Sequence, residues 1–352
     1  MDISHLTKWP LPGPGPVRVK DDRLLERADL LLPQQYIADA TQRIHDATRR
    51  VRVIALTIAD EAETGALLDA LVTAARRGVD VHVAADTFTY ADAAGRFVPK
   101  SYLTKRRRTS MDMTTKLTDA GATFDWLGQE GGLPWRGRTH TKFCVVDDTV
   151  YSFGGVNMDD HGATSADYML RISDRRLADD LVQVYARTRS ANSFFSGFRS
   201  SALKYGKDHV LVDGGVPGDS IIYRQALKYA HKAERIVLVS QYCPTGELGK
   251  IVDSKNHEMW FNPPRNASHF NRALISASMA ITRHRTLYRK QQYLHAKVMV
   301  FYLGSGKRVA ITGSHNFVRG GVTLGTREIA LQTENPPVVD QIETFIEDRV
   351  RH

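Results

Sequence analysis

Hydrophobic positions along the chain switch repeatedly between two periods. Across residues 34–50 they fall three and four apart, as on one face of a helix. Residues 51–58 (Val51-Arg52-Val53-Ile54-Ala55-Leu56-Thr57-Ile58) read as a strand, residues 61–77 as a second helix, and residues 79–84 as another strand after the helix stop at Gly78. This alternation predicts an α/β lobe with a mostly parallel sheet. The scheme returns in the second half. A helix is expected over 220–233, a strand over 235–240 and a helix over 270–280, followed by strands around 297–301 and 309–312. Each half closes with a strand (168–172; 328–332) and an amphipathic helix (176–189; 337–350). Matching order in the two halves predicts a duplicated fold rather than two unrelated domains. Residues 247–264 hold little regular pattern, so the second lobe is expected to be the shorter.

The boundaries follow from composition. Residues 1–16, rich in Pro and Gly, read as an extended leader; residues 17–200 form the first lobe and 201–352 the second. At the junction, Phe194, Phe195 and Phe198 stand near Arg199, Lys204 and Lys207. Such a group either packs the seam between lobes or inserts at a membrane interface. No apolar stretch approaches the ~20 residues of a membrane span, and no signal-peptide segment is visible, so a cytoplasmic location is expected.

Charge narrows the partner. The net charge of +9 favours an anionic one, a phospholipid surface or a nucleic acid. Part of it is concentrated at Lys100, Lys105, Arg106, Arg107 and Arg108, a polar stretch read either as a solvated loop or as a rim that steers anions. Two cysteines, Cys144 and Cys243, are too few for a disulfide framework, and Cys144 falls inside an apolar run where a buried strand thiol is expected. His257, His269, His284 and His315 lack a tight metal-ligand spacing, so no metal or other cofactor is implied.

The chemistry is carried by a repeat. His140-Thr141-Lys142, then Asp147 and Gly154-Gly155-Val156-Asn157, is followed 155 residues on by His295-Ala296-Lys297 and Gly313-Ser314-His315-Asn316. Histidine and lysine two apart in a strand would face the same way, side by side for an anionic phosphate. One imidazole can attack phosphorus while the other protonates the departing alkoxide. Asn157 and Asn316 supply amide donors, Gly155 lets the backbone approach, Ser314 offers a hydroxyl, and His315 is expected to make a secondary substrate contact. Asp167 and Glu328 stand at matching places near the final strand of each lobe. Each is expected to accept a hydrogen bond from the far ring nitrogen of its own lobe's histidine.

These motifs resemble the phospholipase D superfamily signature, His-x-Lys-x4-Asp followed by Gly-Gly/Ser-x-Asn. The first copy matches in full; in the second, Tyr302 stands where the Asp is expected. The resemblance covers nearly the whole chain. It implies two pseudo-symmetric α/β lobes, each a mixed sheet flanked by helices, with a metal-independent active site at their interface. The motif Asp, here Asp147, is implied to support a loop rather than react. The more complete first motif favours His140 as nucleophile and His295 as acid. Gly-Gly-Val-Asn after the first motif looks most like bacterial cardiolipin synthases. That implies transfer of a phosphatidyl group to a lipid alcohol through a phosphohistidine, by a peripherally membrane-associated enzyme whose partners are an anionic phospholipid and the membrane surface. The alternative is a nuclease or phosphodiesterase of the same superfamily.

Overall fold

The computed structural model describes residues 28–87, 105–128, 137–192 and 197–352; the leader 1–16, Lys100, Phe194 and Phe195 lie outside them. The first lobe runs β1 (Asp29–Leu31), α1 (Pro33–Asp46), β2 (Arg50–Ala55), α2 (Gly65–Arg76), β3 (Asp80–Asp86), α3 (Lys105–Asp119) and β4 (Thr123–Leu127). It continues through β5 (Phe143–Val146), β6 (Thr149–Ser152), α4 (Asp160–Thr164), β7 (Met169–Ser173) and α5 (Arg175–Ser190). The second comprises β8 (Ser201–Tyr205), β9 (Asp208–Gly214), α6 (Ile221–Lys232), β10 (Ala233–Val239), α7 (Gly246–Asp253), β11 (Asn256–Trp260) and α8 (His269–Thr282). After these come β12 (Val298–Leu303), β13 (Arg308–Gly313), α9 (Arg319–Leu324), β14 (Arg327–Thr333) and α10 (Pro336–Phe345).

Local rules explain the helix ends. Proline opens α1, where a missing N–H costs nothing, and Tyr36, Ile37, Ala40 and Ile44 form its buried stripe. Asp174 and Ser220 cap α5 and α6 by accepting the backbone N–H of Leu177 (2.7 Å) and Tyr223 (3.0 Å).

Two seven-stranded sheets result, in the orders β1-β7-β6-β5-β2-β3-β4 and β8-β9-β14-β13-β12-β10-β11. Among these strands of the described residues, β2–β3, β3–β4 and β10–β11 pair in parallel and the other neighbouring strands antiparallel. The sheets are therefore mixed and mainly antiparallel, not mostly parallel. After its helical crossovers, each lobe returns by hairpins, a turn the alternation of helix and strand periods does not reveal.

The second lobe also differs from expectation. Residues 247–264 contain α7 and β11, short elements whose patterns fall below what periodicity resolves. What this lobe lacks is a counterpart of β4; its extra strand β8 joins at the opposite edge. The stretch beginning at Lys105 opens α3 and is not a loop.

The inner faces of the sheets share one core, in which Val145, Val150, Tyr168 and Leu170 meet Val298, Val300, Ala310 and Ile329, with α5 and α10 at its sides. Separate clusters on the outer faces bury α1 and α2 in one lobe and α6 and α7 in the other. Phe198 packs at the junction, its N–H bonded to the Gly214 carbonyl (3.1 Å) and its ring under the Arg187 guanidinium. Cys144 is buried in β5, where burial pushes its thiol up to about 12.

Candidate active site

The two motif segments lie on the seam between the sheets, each stitched to the opposite lobe. His140 N and Thr141 N both donate to the Arg327 carbonyl (2.8 and 3.0 Å); His295 N and Ala296 N both donate to the Ala166 carbonyl (3.0 Å each). Contrary to expectation, the His-x-Lys pairs do not lie within strands. Both are extended segments just before β5 and β12, because their backbone groups are spent on the other lobe rather than on the sheet ladder. The intervening Thr141 and Ala296 are buried, and each lysine ammonium turns back to donate to its own histidine's carbonyl: Lys297 to that of His295, and Lys142 to that of His140 at 3.0 Å.

The carboxylates are exchanged between lobes. Asp167 accepts a hydrogen bond from Nδ1 of His295 at 2.8 Å, and Glu328 faces Nδ1 of His140 at 3.1 Å. This corrects the expectation that each acid serves its own lobe's histidine. The N–H groups of Tyr168 (2.8 Å) and Gly155 (3.1 Å) hold Oδ1 of Asp167. Ser314 donates its hydroxyl to Glu328, so that hydroxyl is engaged within the protein and not held out for a substrate. Fixing the proton on Nδ1 leaves the Nε2 lone pair for chemistry.

Burial sets the charges. It would raise the carboxyl of Glu328, but His140, His315 and the Ser314 hydroxyl outweigh it and hold the group down at about 2. The same contest, won by the His295 hydrogen bond with the Lys297 charge and the Tyr168 N–H, lowers Asp167. Burial, then the Lys297 ammonium, pushes His295 down to about 3 despite Asp167. Burial likewise lowers Lys142 and brings Lys297 to about 7. His140, with 27% of its side chain exposed, is the more open of the two rings.

The glycine turns bring backbone against this cluster. A Cβ on Gly155 would meet Asp167 Oδ2 at 2.5 Å, and the His295 carbonyl and Lys297 Nζ at 2.9 Å each. One on Gly154 would lie 1.7 Å from the Tyr168 carbonyl oxygen. Asn157 and Asn316 are buried with side-chain oxygens that have no protein partner, unspent polar groups at matching places. His315 is buried and accepts the Phe317 N–H on Nδ1 (2.8 Å), which puts the proton of a neutral ring on Nε2; burial lowers its basicity.

Asp147 lies at the far end of β5. In a left-handed turn (φ 51°), its carboxylate accepts the N–H groups of Thr48, Arg49 and Arg50 at 2.9–3.0 Å, capping the loop into β2. Tyr302 occupies the corresponding place with different contacts. Its hydroxyl donates to Glu343 (2.6 Å) and Arg235 stacks on its ring, 4.5 Å from the centroid.

Sequence reading missed a second matched pair. Asp86 accepts the N–H of Thr139 (2.7 Å) and Asn262 that of Leu294 (2.8 Å), each bracing the residue before a motif histidine. Arg138 also binds Asp86 (2.7 Å). Tyr293 stacks near His295, with ring centroids 6.3 Å apart. The available signal was a polar residue at the C-terminal end of corresponding strands, Asp86 the last of β3 and Asn262 two past β11. Of the histidines weighed for metal, His284 is engaged by Asp253 (2.7 Å) and the Cys243 thiol (3.4 Å). Among the described residues no cluster of His, Cys, Asp or Glu is placed to hold a metal ion.

Two oriented imidazoles, two ammonium groups and two ionised acceptors at one seam form a centre suited to attack on a phosphodiester and protonation of its leaving group. Residues 40–189 match the family model described as "Cardiolipin synthase, PLD-like domain". The fold resembles phosphatidylserine synthase of Haemophilus influenzae Rd KW20, with TM-score 0.66 and 14% identity over 93% of this chain and 88% of that one. It also resembles polyphosphate kinase of Porphyromonas gingivalis, with TM-score 0.59 and 11% identity over 92% of this chain and half of that one. The search of curated proteins gave no match. The family match is thus confined to the first lobe, while the likeness in fold to the phosphatidylserine synthase extends over nearly the whole chain.

Proposed function

We propose that this protein is a phosphatidyltransferase of cardiolipin-synthase type, acting through a covalent phosphohistidine. The observation that carries the reading is the pair of crossed imidazole–carboxylate contacts, His295–Asp167 and His140–Glu328, with Lys142 and Lys297 beside them. The family model matched by the first lobe supports a phospholipid substrate.

The steps follow from the charges. Nε2 of one histidine attacks phosphorus, the bond to the leaving alkoxide breaks, and the other ring donates the proton that alkoxide takes up. The acceptor hydroxyl then gives its proton to that second ring and attacks phosphorus, and the P–N bond breaks. From two phosphatidylglycerol molecules the products are cardiolipin and glycerol. The lysines and the Asn157 and Asn316 amides hold the non-bridging oxygens. Desolvation keeps His295 neutral, which favours it as the attacking ring and His140 as the proton donor. The completeness of the first motif does not bear on this choice, since Asp147 supports a loop remote from both rings.

The test is to incubate the protein with phosphatidylglycerol in EDTA and resolve the lipids. Cardiolipin with release of glycerol is expected. Phosphatidic acid alone would point to hydrolysis. Inertness toward lipid with cleavage of DNA or RNA would move the activity to the nuclease reading, which the net charge of +9 also suits.

A further inference from the structure

Among the described residues four large hydrophobic side chains stand exposed: Met111, Leu274, Ile281 and Leu287, at 51%, 45%, 81% and 43%. Three of them fall within one segment, residues 274–287. Leu274 and Ile281 lie seven residues apart on α8, hence on one helix face, and Ala277, also exposed, falls between them. Leu287 follows in the segment after the helix. Met111 is on α3, which occupies in the first lobe the place α8 has in the second, after the third strand of the crossover.

The surroundings are basic. Between Glu258 and Glu328 the sequence contains no acidic residue. Arg272, Arg283, Arg285 and Arg289 are exposed around the stripe, and among the described residues none of them forms a salt bridge. The helix is also tied to the candidate active site. Tyr242 donates to Asn271 of α8 (2.9 Å), Gln241 bridges Tyr242 (3.0 Å) and Tyr293 (2.8 Å), and Tyr293 stacks near His295.

We propose that α8 and the arginine-rich segment after it, residues 269–290, dock this protein on an anionic lipid surface, with Leu274, Ile281 and Leu287 entering the acyl boundary and the arginines meeting the headgroups. Charge complementarity argues for an anionic partner, and the apolar stripe selects a bilayer over nucleic acid, because a phosphate backbone offers nothing to a bare isoleucine. The inference rests on the lipid reading above and adds the surface by which that substrate is reached.

The experiment compares the wild-type protein with the variants Leu274→Asp/Ile281→Asp and Arg283→Glu/Arg285→Glu, all at exposed sites. Binding is read by flotation with vesicles of phosphatidylglycerol and phosphatidylcholine (1:1) and of phosphatidylcholine alone. Turnover is read on short-chain phosphatidylglycerol below its micelle concentration. Wild type is expected to float with the anionic vesicles only, and each variant to lose at least tenfold in vesicle affinity while keeping monomeric turnover within about twofold. Variants that float like wild type overturn the proposal, as does an Ile281→Asp effect that proves to be dissociation of a dimer in sedimentation equilibrium. Failure of wild type to turn over the monomeric lipid would instead strike the proposed function, so the two failures are distinct.

Discussion

Asp167 and His295 belong to different lobes, yet the carboxylate Oδ2 lies 2.8 Å from the imidazole Nδ1, with Glu328 and His140 repeating the exchange at 3.1 Å. Each half of the chain supplies the acid that orients the other half's histidine, so neither lobe holds a complete imidazole–carboxylate pair. Asp167→Asn and Glu328→Gln are each expected to lower kcat about 10²- to 10⁴-fold while the fold persists. Asp167→Asn should add little to the loss in His295→Ala, but should still reduce the residual rate of His140→Ala. Steady-state kinetics of these single and double variants check this; coupling of Asp167 to His140 instead would contradict the crossed arrangement.

Lys297 provides a pH handle. Its ammonium, pushed down to about 7 by burial, is charged below that pH and neutral above it. Affinity for an anion at the site is therefore expected to be greatest in mild acid and to weaken as pH rises through about 7. Inhibition by inorganic phosphate, measured across pH 5–9, checks the direction. Lys297→Arg keeps the charge and should flatten the profile.

The acid limb of stability has a different source. Glu328 is held at about 2 in the folded protein, below its ordinary 4.5. Its contribution is thus fully present above the unfolded value and is lost as pH falls through the folded one. By linkage it amounts to something on the order of 3 kcal/mol. Thermal melts of wild type between pH 5 and 2 should show a steeper decline than those of Glu328→Gln.

Adjacent glycines should fail differently. A methyl on Gly155 meets Asp167, Lys297 and the His295 carbonyl, so Gly155→Ala is expected to cut turnover more than tenfold at a cost of about 1–3 kcal/mol in stability. On Gly154 the same methyl drives into the Tyr168 carbonyl, and Gly154→Ala should reduce the yield of folded protein. Circular dichroism melts and specific activity separate the two.

The departure at Tyr302 is structural. Asp147→Ala removes the acceptor of three backbone N–H groups and should cost about 1–3 kcal/mol with little change in kcat. Tyr302→Asp restores the motif in name only. It removes the hydrogen bond to Glu343 and the ring under Arg235, and places a second carboxylate nearby, so denaturant melts should show a loss of stability.

Periodicity revealed the order of the long elements because α1, α5 and the buried strands each carry an unambiguous apolar face. It did not reveal the sheet's mainly antiparallel pairing, since a buried β5 and a buried β2 look alike whichever way they run. It also passed over α7 and β11, too short to establish a period. The repeat exposed His140, Lys142, His295, Lys297 and both asparagines. The partners of those histidines were not legible, because matching positions imply equivalent roles but not which copy each acid serves. The exchange is fixed by backbone contacts such as His295 N to the Ala166 carbonyl, which join residues more than a hundred positions apart. Asp86 and Asn262 escaped notice because each braces a backbone N–H of its own lobe, 53 and 32 positions away, which no local pattern announces.

The most direct test is to quench the protein during turnover of phosphatidylglycerol labelled in its phosphate and to locate the label by mass spectrometry. The account predicts a phosphatidyl adduct on the motif histidines, with His295 carrying it, and no adduct in His295→Ala. Continued transfer with no adduct on either His295 or His140 would contradict it.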